Sequence, residues 1–337
     1  METDADLFPS PPSALWSLLE LLGFAMKMLM CTDGEEYAEE AIQFGGRLAM
    51  EMNADVSVVH VRPLIAPSTR VQLMTARKKL GEWDLDLPGV DYLARANKIL
   101  TEVGLTKVRA SKGRRRHTFR KGIDGATELQ LEGIHGENVR FRLREGNVVD
   151  EILEEATRGD YDLIIVSSRG HKGISRYFVG STALRVADLA SCSVLIAKNI
   201  REDDNFLLCT DGSPLAEKAE IAGAEMARAL GAKVTILSVA EEKMERKGAV
   251  RMARRAEMIL GQMGIEAKRK VRVGRPSEEI IDEALDHDIV VMGASGSSSV
   301  KKLFLGSVPL KVIEYGECPV LIVREKRGKI SLNINTA

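Results

Sequence analysis

The sequence predicts an α/β protein made of two tandem domains, each with an open, twisted parallel sheet that carries helices on both faces. Three observations predict this fold class. The chain has 337 residues, which is long enough for two ordinary domains. Short apolar runs alternate with segments of helical periodicity, as expected for parallel strands buried on both sides. Several segments of the first half also return in the second half, which indicates an internal duplication.

The second half shows the alternation of strands and helices in order. The apolar or alternating runs that we predict as strands are 206–210, 233–240, 266–274, 288–293 and 318–323. The segments that we predict as helices, from the spacing of their apolar residues and from Gly or Pro near their ends, are 213–231, 247–264, 275–287 and 307–316. In sheets of this kind, ligands bind beyond the carboxyl ends of the strands.

The two halves are related by three pairs of similar segments. They are MLMCTDGEEYAEEAI (28–42) with FLLCTDGSPLAEKAE (206–220), SRGHKGISRYFVGS (168–181) with ASGSSSVKKLFLGS (294–307), and ASCSVLIAK (190–198) with GECPVLIVR (316–324). The first pair lies farther apart than the second, so the first half has extra residues, which we place at about 62–137. The predicted domains are therefore 27–200 and 203–325, with an N-terminal extension (1–26) and a tail (326–337).

Composition and cysteine usage exclude several classes of protein. A net charge of −1 provides no global attraction to nucleic acid or to a membrane. The four cysteines fall at equivalent positions of the repeat, which predicts small buried thiols in a cytoplasmic protein and neither disulfides nor a zinc site. The apolar stretch 15–26 is too short to span a bilayer, and no basic residue precedes it. We interpret it as an amphipathic helix or as a segment upstream of the domain.

The glycine-rich segment that follows the strand 288–293 is a candidate phosphate site. Gly293 ends the strand, Gly296 lies in a polar turn, and Gly306 and Ser307 open the next helix. A strand-terminal glycine lets a ligand approach the backbone, a polar turn can bind an anion, and a helix start offers unpaired N–H groups. The alternative interpretation is that these glycines mark two ordinary strand-to-helix turns.

The pattern G-x2-G-x9-G-S, with Thr-Asp-Gly after the first strand of this half and CPVLIV as its last strand, resembles the universal stress protein family. The resemblance implies two five-stranded domains of the Rossmann-like, adenine nucleotide α-hydrolase-like fold. It also implies a stress-response protein that binds ATP, with Mg2+ possible, and acts as a nucleotide-dependent regulator or sensor. In nucleotide-binding members, the Asp and a Val backbone contact adenosine, while the glycines and serine contact ribose and phosphates. The positions implied here are Asp211, Val239, Met292, Gly293, Gly296, Gly306, Ser307 and Val308.

The first half departs from the family pattern at one position. Ser167 stands where the first glycine is expected, and its side chain is predicted to crowd a ribose. The other positions match the pattern, so we expect a nucleotide site there as well. These positions are Asp33, Val61, Gly170, Gly180 and Ser181.

Two other functions stay open. One is a dimerisation or adaptor module that binds no nucleotide, which Ser167 favours for the first half. The other is a slow ATPase. The sequence contains no P-loop pattern, no SGGxDS and neither HIGH nor KMSKS, so no catalytic residue is predicted.

Two further segments predict contacts with partners. The resemblance implies that the two domains pair through their last strands, VLIA (194–197) and VLIV (320–323), which are apolar enough to pair edge to edge, while a homodimer stays open. The segment KVRASKGRRRHTFRK (107–121) has eight Lys or Arg and no acidic residue. We interpret it as a solvated loop or small hairpin; the alternative is contact with RNA, acidic lipid or an acidic protein.

Overall fold

The structure is a computed structural model, and it describes residues 26–63, 89–108, 117–121, 127–131, 134–135, 139–168, 179–201, 205–294 and 305–326. The N-terminal extension up to residue 25 and the centre of the basic segment, 109–116, lie outside these residues. Within the described ranges, no helix combines the length and the apolar character needed to cross a membrane.

The first half contains a parallel sheet with an added hairpin. Its strands are β1 (Lys27–Cys31), β2 (Asp55–Arg62), β3 (Lys107–Val108), β4 (His117–Lys121), β5 (Thr127–Leu131), β6 (Ile134–His135), β7 (Val139–Glu145), β8 (Leu163–Ser167) and β9 (Ser193–Ala197). Its helices are α1 (Glu36–Glu51), α2 (Val90–Glu102), α3 (Val148–Arg158) and α4 (Ser181–Leu189). The parallel strands lie in the order β9-β8-β1-β2-β7, and the hairpin β4–β5 runs antiparallel beside β7. Strands β3 and β6 form a separate two-stranded sheet.

The second half has the same parallel sheet without the hairpin. Its strands are β10 (Asn205–Thr210), β11 (Lys233–Ala240), β12 (Ala267–Val273), β13 (Ile289–Gly293) and β14 (Val320–Val323). Its helices are α5 (Pro214–Leu230), α6 (Arg246–Gln262), α7 (Pro276–Glu283) and α8 (Ser307–Tyr315). The strand order is β12-β11-β10-β13-β14. Every strand and helix predicted for this half is confirmed, although the helix predicted over 275–287 finishes as a 3-10 turn at 284–286.

The strands read as unbroken apolar runs because both faces of the sheet are buried. Successive side chains of a strand point to opposite faces. In β1, Met28 and Met30 therefore pack into one core, while Leu29 and Cys31 pack into the other. Each of these two apolar layers contains residues from both halves, so the sheet has one continuous core on each side.

The extra residues of the first half fall into two stretches. The sequence comparison predicts one insertion at about 62–137, but α2 lies inside that range and occupies the place that α6 has in the second half. One stretch therefore precedes α2, and the other follows it and contains β3 to β6. The hairpin extends the sheet edge, with Leu129 opposite Phe141.

The two sheets join through their last strands, as predicted. Strands β9 and β14 pair antiparallel, with Leu195 opposite Leu321 and Val194 opposite Ile322. The result is a single twelve-stranded sheet. Because the junction is antiparallel, the parallel strands of the two halves run in opposite directions. The carboxyl ends of the two sets of strands therefore lie at opposite edges of the sheet.

Candidate functional site

The candidate residues of the second half lie at one edge of the sheet. Asp211 follows β10, Val239 lies near the end of β11, and Gly293 ends β13. Helix α5 leaves β10 over one face of the sheet, whereas α8, which follows β13, packs on the other face. The chain thus diverges between β10 and β13, which is the type of position where open α/β sheets form a ligand crevice.

The turn after β10 presents Asp211 at the protein surface. The hydroxyl of Thr210 accepts a hydrogen bond from the Gly212 amide (3.1 Å), and Asp211 Oδ1 accepts one from the Ser213 amide (2.9 Å). Gly212 has a φ of +73°, a conformation that favours glycine. Ser213 caps α5, because its Oγ accepts from the Ala216 amide at 3.2 Å. Asp211 is therefore not the helix cap, and its carboxylate is exposed at the surface.

The start of α8 supplies backbone donors. The amide of Gly306 donates to the carbonyl of Ala294 at 2.7 Å, which fixes the approach to the helix. The amides of Ser307 and Val308 belong to the first turn of α8, where N–H groups have no partner inside the helix. Together with the exposed Ser307 side chain and the positive end of the helix dipole, they suit a phosphate oxygen.

The close packing of α5 against the end of β13 explains why a glycine stands at position 293, without reference to a ligand. A Cβ at Gly293 would lie 3.1 Å from Cγ of Leu215 and 3.2 Å from the backbone carbonyl of the same residue. The missing side chain thus lets the first turn of α5 lie close to the end of β13. The equivalent residue in the first half is Ser167, which has a side chain at this position and is half-buried at the end of β8.

Apolar groups also border the Asp211 turn. Val239 is half-buried, whereas Met292 is 5% exposed and belongs to the core. Met252 of α6, which the sequence analysis missed, lies so close to Gly212 that a Cβ there would be 3.0 Å from its Cγ. With 38% of its surface exposed, Met252 presents an apolar surface next to Gly212, the residue that follows Asp211. Comparing α2 with α6 could have identified it, because Tyr92 occupies the same place in the first half.

The first half repeats this turn and adds aromatic groups. Asp33 Oδ1 accepts from the Glu35 amide at 3.1 Å, and Gly34 has a φ of +80°. The ring of Tyr92, from α2, covers Gly34 so closely that a Cβ there would be 2.3 Å from a ring carbon. His60 stacks edge-on against Tyr92, with 4.9 Å between ring centroids. The turn that carries Asp33 is thus more tightly covered than its counterpart.

Other first-half positions fall at the same edge as Asp33. His60 Nδ1 lies 2.8 Å from the carbonyl of Thr32, so this nitrogen has to carry the proton. Burial lowers the pKa of His60, which keeps the ring neutral near pH 7. Val61 is buried next to it, and Gly180 and Ser181 begin α4. Gly170, and Gly296 in the second half, lie outside the described residues.

A buried carboxyl lies beneath the second-half turn. Glu220 of α5 is 3% exposed and is hydrogen-bonded to Thr210, the residue whose hydroxyl accepts from Gly212. Burial raises the pKa of Glu220 to about 7, against a smaller lowering effect of the Thr210 hydrogen bond. Sequence reasoning missed this residue. The repeat alignment contains the signal, since Ile42 stands at the equivalent place in the first half.

Neither metal ligation nor disulfide bonding is indicated in the described part of the chain. No three His, Cys, Asp or Glu side chains are grouped there as metal ligands would be. The four cysteines are buried free thiols.

Together the two halves form a tandem α/β protein of Rossmann-like fold with a polar turn at each switch point. The model of the universal stress protein family matches residues 25–198 and 204–324. The chain therefore belongs to the universal stress protein family, and the predicted tandem of two family domains is confirmed.

Several similar proteins match the chain across both of its halves. The chain is 22% identical over 303 residues to a universal stress protein of Synechocystis sp., which covers 88% of this chain and 99% of that protein. It is 22% identical over 320 residues to one of Mycolicibacterium smegmatis, with 89% and 97% covered. The crystal structure of a universal stress protein from Archaeoglobus fulgidus has the same fold, with a TM-score of 0.62, 19% identity, and 88% of this chain and 98% of that chain covered.

Proposed function

We propose that this chain binds an adenine nucleotide at the carboxyl ends of the strands of its second half, and that this nucleotide is ATP. We further propose that it acts as a nucleotide-dependent regulatory protein of the cytoplasmic stress response. One observation carries the proposal. An exposed aspartate directly after β10, the Met252 side chain against the same turn, and the amino end of α8, which is tied to the end of β13, all lie at the carboxyl edge where the chain diverges between β10 and β13. The aspartate and the helix start match the nucleotide pattern of the family, whereas Met252 does not belong to that pattern.

The residues fit such a ligand by their chemistry. The Asp211 carboxylate can accept hydrogen bonds from ribose hydroxyls, and the amides of Ser307 and Val308 can donate to phosphate oxygens. Val239 and Met252 offer the apolar contact that a base needs. A Mg2+ ion would be held by the phosphates and by water, which is the usual coordination of this ion beside a nucleotide.

The first half is proposed as a second nucleotide site through Asp33, Val61 and Ser181. Its counterpart of Gly293 is Ser167, and the side chain of this residue would narrow the room for a ribose. The closer cover from Tyr92 predicts weaker binding than in the second half. Binding of nucleotide at either site would be reported to a partner protein as a shift between two states of the chain.

The test is isothermal titration of the whole chain with ATP and Mg2+, using variants of each half. Gly306→Val should remove binding at the second site, because a branched side chain at the cap blocks the approach to the Ser307 amide. Asp211→Ala should weaken binding about tenfold or more, as expected for a lost hydrogen bond to a charged group. Gly180→Val is the matched control and should affect the first site alone.

Each outcome has a clear meaning. A stoichiometry that falls by one in Gly306→Val, with unchanged circular dichroism, supports the assigned site. Normal binding by a folded Gly306→Val chain places the site elsewhere. If the wild type binds no ATP, the adaptor function becomes better supported than nucleotide binding. Phosphate release above that of a heat-killed control would support the slow-ATPase alternative, provided that Asp211→Ala abolishes it.

A further inference from the structure

The topology brings the end of a first-half helix to the second-half site. In each half, α4 or α8 runs back from the carboxyl edge of the strands to their amino edge. Because the two halves are inverted at the β9–β14 junction, the amino edge of the first half lies beside the carboxyl edge of the second. Helix α4 therefore begins at Ser181 of the first candidate site and ends next to the second one.

A hydrogen bond fixes this approach. Asp188, in the last turn of α4, accepts from the backbone amide of Leu305 through Oδ1 at 3.0 Å. Leu305 is the residue directly before Gly306, whose own amide donates to Ala294 at 2.7 Å. Two consecutive backbone amides are thus held immediately before α8 starts. One of them is held by its own half, and the other by the opposite half.

The negative charge of Asp188 lies at an unfavourable place, near the carboxyl end of α4. An acidic residue in the last turn of a helix faces the negative end of the helix dipole, which costs free energy. Here Arg324, which follows β14 of the second half, donates through Nη2 to the carbonyls of Ala187 (2.7 Å) and Asp188 (3.0 Å). This guanidinium offsets the unfavourable charge. The carboxylate can then make a charge-assisted bond to the Leu305 amide.

The contact is not a general consequence of the pseudo-symmetry. At the other end of the junction, Lys198 is the counterpart of Arg324, and it donates to the carbonyl of Ile313 in α8 at 2.9 Å. The counterpart of Asp188 is Glu314. Among the residues that the structure describes, Glu314 makes no matching bond to Val179, the counterpart of Leu305. The cation-to-carbonyl contact is thus repeated, while the carboxylate-to-amide contact belongs to the second site.

We propose that Asp188 is a positioning residue for nucleotide binding in the second half, supplied by the first half. It acts by holding the Leu305 backbone, and through it the orientation of the Ser307 and Val308 amides. The inference rests on the proposed nucleotide function. It adds that the second site is complete only when the two halves are joined.

The experiment is titration of the whole chain with ATP and Mg2+ in an Asp33→Ala background, which weakens the first site so that the heat reports the second. Asp188→Ala should weaken binding about tenfold, since the anchoring bond is lost. Asp188→Asn should restore affinity to within about twofold, because its amide oxygen still accepts from Leu305. Glu314→Gln, the matched control, should leave the affinity unchanged. Thermal unfolding of each variant checks that the fold is intact.

The outcomes separate this inference from the proposed function. Binding by the Asp33→Ala parent that is lost in Gly306→Val establishes the site. If Asp188→Ala then binds like the parent, the positioning role is refuted while the proposed function stands. Equal losses in Asp188→Ala and Asp188→Asn also refute it, because the hydrogen bond acceptor is retained in the second variant. Absence of binding in both the parent and the wild type overturns both proposals.

Discussion

Replacement of the buried Glu220 should change how the stability of the chain depends on pH. The perturbation is Glu220→Gln, which keeps the size of the side chain and removes its charge. In the folded protein, burial raises the pKa of Glu220 to about 7 from an ordinary value of about 4.5. The folded state therefore holds its proton more tightly than the unfolded chain does.

The sign and the magnitude follow from this difference. Below about pH 4.5 the group is protonated in both states, and its favourable contribution is fully present. As pH rises through about 7, the buried carboxyl loses its proton and that contribution disappears. With about 1.4 kcal/mol for each pKa unit, the loss is about 3 kcal/mol. The glutamine variant has no such term, so at pH 8 it should be more stable than the wild type by up to about 3 kcal/mol.

Urea unfolding followed by circular dichroism at pH 5 and at pH 8 is the assay. The wild type and the variant should have similar midpoints at pH 5, and the variant should have the higher midpoint at pH 8. Glu266→Gln, a change at an exposed glutamate, is the control and should leave the pH dependence as in the wild type. Parallel curves for the wild type and Glu220→Gln across this range would refute the reasoning, since they would show that Glu220 does not titrate between the two pH values.

Two other predictions concern packing and thiol reactivity. Gly223→Ala should lower the free energy of unfolding by about 1–3 kcal/mol, because its Cβ would lie 2.6 Å from Leu208 and 2.9 Å from Val291. Gly261→Ala, whose Cβ meets no atom within 4 Å, should raise it by about 1 kcal/mol through helix propensity; equal urea midpoints for the two would contradict the packing argument. The four thiols should not react with Ellman's reagent at pH 8 until the chain is denatured, because they are buried, and burial raises the pKa of Cys192 to about 12. Labelling of the native protein within minutes would show that a thiol is accessible.

The order of strands and helices could be predicted because its determinants are local. Apolar runs such as 289–293 are continuous only when both faces of a strand are covered, and the repeat supplied a second copy of each run. The pairing of β9 with β14 was also predicted, from the family resemblance and from the apolar strands that end the two halves. The Asp211 turn could be placed for the same reason, since it directly follows a recognisable strand.

The remaining features depend on contacts between distant residues. Position 293 needs a glycine because Leu215, on another element, lies close to it. No sequence pattern near Gly293 indicates this contact. The pairing of β5 with β7 likewise joins segments whose sequences contain no signal for each other. The predicted single insertion missed α2, because α2 resembles α6 in its apolar spacing but hardly in its residues. Asp188 could not be found from sequence, since the antiparallel junction alone brings it to Leu305.

The junction between β9 and β14 also determines how the two halves meet. Two identical single-domain copies would have to find each other by collision, and dilution would separate them. In this chain the linker keeps the effective concentration of one half near the other high, so the pairing does not depend on how much protein is present. Each assembled sheet also contains one site with Glu220 below its turn and one with Ile42 at that place. A tandem chain thus guarantees a one-to-one ratio of the two different candidate sites, which a mixture of separate domains would reach only by chance.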